Sequence, residues 1–164
     1  MASALTHAFA AIVVGKTCYR QGKSWRFWLL AIGSAVAPDA DVIGFSFGIQ
    51  YGDMLGHRGP SHSLLFALLW SLLVVSVGFN AVPKLSKPWW KLLCFFFVVT
   101  ASHGVLDAMT NGGLGVAFFA PFDSTRYFLP WRPIIVSPIG VGSLDATLIC
   151  ALYCTPSFHL QRRI

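Results

Sequence analysis

The sequence predicts an all-α fold: a polytopic inner-membrane bundle of about five transmembrane or membrane-embedded helices, the second of them broken at Pro38. Three observations lead there. Hydrophobic residues make up 55% of the 164 and charged residues 11%, against about 25% charge in an ordinary globular protein. The mean hydropathy is +0.66, so too few polar side chains exist to coat a soluble fold. Finally, long apolar runs alternate with short segments that carry Lys and Arg, the pattern of chains that cross a bilayer repeatedly.

A bilayer core about 30 Å thick takes about 20 apolar residues per helical crossing. Ala2–Thr17 is short and carries Thr6 and His7, so it is a marginal span or a helix packed inside the bundle. Phe27–Ile49 is long enough but is interrupted by Pro38-Asp39-Ala40-Asp41, where proline removes a helical hydrogen bond. His62–Val82, Leu92–Gly112 and Ile134–Tyr153 each meet the length. Gly59-Pro60 breaks the chain before the third segment, with Ser61 as its expected N-cap. Thr110-Asn111-Gly112-Gly113 is expected to end the fourth through a glycine C-cap. With no internal repeat or dividing linker, residues 1–164 read as a single membrane-embedded domain. The N-terminus has no basic residue ahead of its apolar run, so it does not read as a cleaved signal peptide.

Charge orients the bundle. With the N-terminus outside, the C-terminus cytoplasmic and five crossings, nine of twelve basic residues lie inside: Lys16, Arg20, Lys23, Arg26, Lys84, Lys87, Lys91, Arg162 and Arg163. Arg58, Arg126 and Arg132 lie outside, a distribution that follows the positive-inside bias. The net charge of +6 comes in clusters between apolar runs, so no nucleic-acid binding is expected. Trp25, Trp28, Trp89, Trp90 and Trp131 fall at the predicted interfaces. Cys18, Cys94, Cys150 and Cys154 have no CxxC spacing, which argues against a disulfide framework or a zinc knuckle.

All six acids are Asp, with no Glu anywhere. In this topology every Asp, together with His7, His57, His62 and His103, lies at mid-membrane or toward the outer side; His159 alone is cytoplasmic. His103 and Asp107 are spaced i,i+4, so both project from one helix face; imidazole nitrogen and carboxylate oxygen both suit zinc. Alternatively the two satisfy each other by a hydrogen bond. His57 and His62 flank a tight turn that brings two imidazoles together, and Arg58 between them presents a fork that matches phosphate oxygens. The plainer alternative is two interfacial histidines and a snorkelling arginine. A charged Asp in mid-membrane costs roughly 2.5–3.5 kcal/mol, which makes Asp39 and Asp41 functional candidates. In a regular helix i and i+2 point about 200° apart, so both face one site only where the helix is broken. His7 alone reads as a core histidine, and Asp145 either faces the site or bonds a neighbouring helix.

In this order, His7, Pro38-Asp39-Ala40-Asp41, His57-Arg58-Gly59-Pro60-Ser61-His62-Ser63 and His103-Gly-Val-Leu-Asp107, the motifs resemble the YdjM-like family of membrane-bound hydrolases predicted to be metal-dependent. The likeness spans residues 7–107, with the Gly/Pro-rich stretch around Gly112–Phe122 also similar. That family is distantly similar to zinc-dependent phospholipase C and P1 nuclease, helical phosphodiesterases with three metals. The resemblance implies ligands among His7, Asp39, Asp41, His57, His62, His103 and Asp107, holding a divalent metal, zinc by preference. It departs at one point: no second His-x-x-x-Asp/Glu follows His103, which reduces the expectation to one or two ions. The implied activity is hydrolysis of a phosphoester, phospholipids included, at the outer face, with Asp41 as base and Arg58 and Ser63 holding substrate. A metal or proton transporter, a b-type haem protein and an inactive homologue remain as alternatives.

Overall fold

The computed structural model describes residues 4–19 and 24–134. They form four α-helices, α1 (Ala4–Cys18), α2 (Trp25–Val36), α3 (Leu64–Gly78) and α4 (Lys87–Ala108). Among the described residues there is no strand beyond two isolated bridges, Thr110 to Ile134 and Val116 to Tyr127. The fifth expected segment, with Asp145, Cys150 and Cys154, and the tail with His159 lie outside the described residues.

Three α-helices start on serine. Ser24, Ser63 and Ser86 each accept a hydrogen bond from a backbone N–H three residues on, at Phe27, Phe66 and Trp89, satisfying donors that the first turn leaves unpaired. The cap of α3 is therefore Ser63 and not the expected Ser61, because Pro60–His62 forms a short 3-10 turn that delays the helix. Nor does α4 end on a glycine. It stops at Met109 in right-handed geometry, whose N–H reaches back to Val105, Leu106 and Asp107 carbonyls.

The interruption at Pro38 takes a specific form. α2 runs directly into a 3-10 segment, Ala37–Phe47, of 11 residues, although such runs rarely exceed 3–4 residues. Gly48 closes it at φ 81°, its N–H bonding Gly44 and Phe45 carbonyls. The break is thus a change of winding within one rod, Trp25–Phe47.

That rod (23 residues, mean hydropathy 1.3) and α4 (22 residues, 1.4) are long and apolar enough to cross a membrane. α1 and α3, at 15 residues each, rise about 22 Å at 1.5 Å per residue and fall short of the full core. Two of the five expected crossings therefore reach full length among the described residues.

Consecutive helices run antiparallel, and α4 packs against the other three. The core is aromatic: Phe27 lies 5.0 Å from Phe95 and 6.0 Å from Phe96 between ring centroids, with Tyr19, Trp28 and Phe79 around it. Ala11, Ala31 and Ala35 are buried among these helices, small residues of the kind that let membrane helices approach closely. Leu69, Leu73 and Val77 of α3 and Val98 and Val105 of α4 are exposed, an outward apolar face suited to lipid. Trp25, Trp90 and Trp131 are exposed as interface residues would be, but Trp89 is buried in the core.

Antiparallel order has one consequence for chemistry. His7 opens α1, Asp39 and Asp41 follow α2, His57 and His62 precede α3, and His103 and Asp107 close α4. These residues gather at one end of the bundle, while Lys16, Arg26, Lys84, Lys87 and Lys91 sit at the other.

Candidate metal centre

The 3-10 winding sets the first two carboxylates. At three residues per turn, positions i and i+2 lie about 240° apart, or about 120° the short way round, against about 200°, or about 160° the short way, in an α-helix. Asp39 and Asp41 thereby reach adjacent parts of one cluster. Asp39 Oδ1 lies 3.2 Å from His103 Nε2 and 3.7 Å from His62 Nε2. Asp41 Oδ1 lies 2.6 Å from His57 Nδ1, and Asp41 Oδ2 lies 3.3 Å from His62 Nδ1. His62 is thus shared between the two.

Proton bookkeeping distinguishes their roles. The Ala35 carbonyl, 2.7 Å from His103 Nδ1, only accepts, so His103 carries its proton there and turns an Nε2 lone pair inward. His62 Nδ1 faces Asp41 and, at 2.9 Å, Ser61 Oγ, which leaves its Nε2 inward too. These two Nε2 atoms are 3.1 Å apart. Asp107 Oδ2 stands 3.6 Å from one and 4.0 Å from the other. Four acceptor atoms, from Asp39, His62, His103 and Asp107, all lie within 4.8 Å of one another.

Such a set fits a cation. Zinc–nitrogen bonds of about 2.0–2.1 Å imply ligand–ligand edges near 3.3 Å in a tetrahedron; five of the six edges here run from 3.1 to 4.0 Å, and the sixth, between Asp39 and Asp107, is within 4.8 Å. The charge fits as well. With the imidazoles neutral, as metal ligation requires, Asp39, Asp41 and Asp107 bring three negative charges and Arg58 one positive, leaving two, the charge of one divalent ion. Histidines that give Nδ1–H to a carbonyl or carboxylate while offering Nε2 are the usual form of metal-ligating imidazole.

Asp41 is built differently from Asp39. It accepts from His57 Nδ1, from the Ser61 hydroxyl and from the Arg58 backbone N–H at 3.3 Å, so its oxygens orient neighbouring side chains. His57 Nε2 has no hydrogen-bond partner among the described residues although the side chain is 1% exposed. His7 stacks on His103 with centroids 3.6 Å apart and 15° between planes. Neither His7 nitrogen has a hydrogen-bond partner among the described residues; Nε2 is 3.9 Å from Asp107 Oδ1. His7 therefore joins the cluster by its ring face, outside the four converging atoms.

Arg58 and Ser63 do not face outward. Arg58 is fully buried, with Nε 3.0 Å from Asp107 Oδ2, Nη1 donating to the Gly112 carbonyl at 2.8 Å and Nη2 to Thr110 Oγ1 at 3.3 Å. Its backbone is left-handed at φ 64°, a conformation that costs a non-glycine residue about 1–2 kcal/mol and concentrates at functional sites. Ser63 is buried and its hydroxyl donates to the Pro60 carbonyl at 2.7 Å while capping α3.

The sequence did not single out several other contributors. The chain after α4 folds back as a lid: Ala117 N–H bonds the Arg58 carbonyl, and Leu64 N–H bonds the Phe118 carbonyl, each at 3.0 Å. Arg126 ties the 51–57 turn with donors to the His57 carbonyl at 2.8 Å and the Asp53 carbonyl at 3.1 Å. Burial pushes the Tyr51 phenol above its ordinary pKa, keeping it a neutral hydroxyl beside this lid. Asp123 stands apart, partly exposed, held below the usual carboxylate range by hydrogen bonds from Thr125 and Tyr127. The glycine pair was a signal in the sequence for this loop: Gly113 has φ 81°, and a Cβ there would lie 2.5 Å from Tyr51 Oη and 2.7 Å from Arg58 Nη1. Gly113→Ala is expected to lower stability by at least about 1–2 kcal/mol from the backbone alone. Thermal unfolding in detergent measures it, and an unchanged midpoint would mean that the loop does not close on Arg58.

A family model, described as YdjM inner membrane protein, matches residues 1–162 of this chain. The chain belongs to that family. It is also 35% identical, over 164 aligned positions, to the inner membrane protein YbcI of Escherichia coli strain K12, covering 97% of this chain and 85% of that protein. No solved structure matches it. Family membership supports an inner-membrane location for the chain, in keeping with its composition and its two full-length apolar rods.

Proposed function

We propose that this protein is a metal-dependent hydrolase of the inner membrane, acting on a phosphoester at the outer face. The convergence of Asp39 Oδ1, His62 Nε2, His103 Nε2 and Asp107 Oδ2 carries the reading: four atoms that can each ligate a metal, all within 4.8 Å of one another. One divalent ion, zinc by the chemistry of its ligands, suits this set better than two, because the oxygens of Asp41 are already taken by donors. An ion held there supplies Lewis acidity that polarises a phosphoryl oxygen and acidifies water.

The chain's own residues do the rest. His57 Nε2 has no hydrogen-bond partner among the described residues, and Asp41 fixes its tautomer from behind, so His57 takes the proton of the attacking water. Water adds to phosphorus as the bond to the alcohol breaks, and the alcohol leaves with the proton that His57 took from the water. Asp41 is then a positioning residue instead of the base, and Arg58 acts by holding Asp107 and the lid. The basic residues at the opposite end favour an orientation with the N-terminus and the cluster outside, by the positive-inside bias.

The test is purification in detergent, metal analysis by mass spectrometry, and hydrolysis of bis(p-nitrophenyl) phosphate alongside phosphomonoester and carboxylester panels. A stoichiometric divalent ion with phosphodiester hydrolysis is the expected result. A folded, metal-loaded protein inert toward every panel would sink the enzymatic reading in favour of metal handling, and a folded protein that takes up no ion would mean that protons occupy the cluster. Asp41→Asn is expected to keep its ion while losing about 10–100-fold in kcat, the usual cost of losing an orienting partner. Loss of metal in strict proportion to activity would instead place Asp41 in coordination.

A further inference from the structure

A groove of about 510 Å³ runs along the flank of the bundle between α2 and α3, within the size range of ligand sites. Its walls include Leu30, Phe66, Trp70 and Val74, and one end is formed by Asp41 and Ser61. Phe66 and Trp70 stack with 13° between planes, making a flat apolar wall. The Trp70 indole N–H donates to Ser34 Oγ at 3.1 Å, so these two polar groups of the lining already satisfy each other.

Small residues of the α2 rod keep the groove open. Gly33, Ala37 and Ala40 line it, and a Cβ built on Gly33 meets nothing within 4 Å. The polar end is part of the candidate centre, since the Ser61 hydroxyl donates to Asp41 Oδ2, the carboxylate that orients His57 and His62. An apolar slot that opens on the bundle flank and ends at Asp41, against His57 and His62 of the centre, matches an amphipathic molecule: hydrocarbon along the helices, with its ester beyond Asp41 toward the centre.

We infer that this groove seats one acyl chain of a membrane lipid, making a phospholipid the substrate and bringing it to the centre sideways from the bilayer. The word substrate rests on the hydrolase reading; the seat itself does not. A second copy of the chain is the rival occupant, because Gly33 and Ala37 have the four-residue spacing of small residues that suits helix–helix contact. A docked helix, however, has no use for a slot that continues to Asp41 and Ser61.

The experiment uses the full chain in nanodiscs of phosphatidylglycerol that carries a diazirine on one acyl chain. After irradiation, mass spectrometry compares labelling of Leu30, Phe66 and Trp70 with labelling of the outward-facing Leu73 and Val77. Wild type is expected to label the groove at least fivefold above those positions, and Gly33→Phe to abolish the excess. Gly33→Leu serves as a second, smaller plug. On bis(p-nitrophenyl) phosphate both variants are expected to match wild type, while phosphatidylglycerol hydrolysis falls at least tenfold. Equal labelling of groove and outer face overturns the seat, as does lipid hydrolysis that survives both plugs. A Gly33→Cys variant that forms disulfide-linked dimers in the membrane overturns it in favour of the second copy. If no ester is hydrolysed but the groove is labelled, the seat stands and the hydrolase reading fails; hydrolysis of the soluble ester with an unlabelled groove has the opposite meaning.

Discussion

His103→Ala is expected to empty the centre, dropping bound divalent ion from about one per chain to below about one-tenth after desalting. Its Nε2 is the atom nearest to two other members of the set, 3.1 Å from His62 Nε2 and 3.2 Å from Asp39 Oδ1. Losing a mere orienting partner costs about 10–100-fold in affinity, and removing a ligand costs more. The substitution also strands the buried Ala35 carbonyl and removes the face on which His7 stacks, so some stability goes with it, about 1–3 kcal/mol for the carbonyl. His103→Gln offers a donor to that carbonyl without an imidazole, and separates the two losses. Cobalt substitution gives a direct readout: the visible absorption of a coordinated Co(II) ion should be present in wild type and absent in both variants. Retention of a wild-type cobalt spectrum by His103→Ala would place the ion elsewhere.

Arg58→Met is expected to destabilise the protein by about 3–5 kcal/mol, the usual cost of breaking a buried ion pair from one side. Three acceptors lose a donor at once: Asp107 Oδ2, the Gly112 carbonyl and Thr110 Oγ1. Arg58→Lys should recover little, because one ammonium cannot reproduce a fork that serves a carboxylate on one side and a loop on the other. Thermal or SDS-induced unfolding in detergent measures both variants. Unchanged stability combined with lost hydrolysis would return Arg58 to the role of substrate clamp, with the internal contacts incidental.

The parts of this protein legible in the sequence were those that depend on composition and short-range periodicity. Apolar length makes a helix able to cross a membrane, and the i,i+4 spacing of His103 and Asp107 puts both on one face without reference to any partner. The costliness of Asp39 and Asp41 in an apolar run is likewise local. Less legible were the caps. Ser61 and Ser63 both have the chemistry of an N-cap, and the 3-10 turn at Pro60 decided between them by starting α3 at Leu64. The glycine pair after α4 read as a helix stop, yet Gly113 is small because Tyr51 and Arg58, more than fifty residues away in sequence, press against it.

The sequence by itself determined that the chain is helical, membrane-embedded and supplied with histidines and aspartates at one end, since hydropathy, charge placement and helical spacing are properties of the chain as written. Only the tertiary structure decided which of those side chains share a point. Antiparallel packing brought the ends of four helices together, and the 3-10 winding after Pro38 turned Asp39 toward His103 and Asp41 toward His57. It also decided what each acceptor and donor does. Asp41 orients because three donors already claim it, Arg58 holds the lid because it is fully buried, and His57 keeps a free nitrogen because no donor or acceptor among the described residues reaches it. Those roles depend on distances of a few ångströms between residues far apart in the chain, and no spacing along a sequence encodes them.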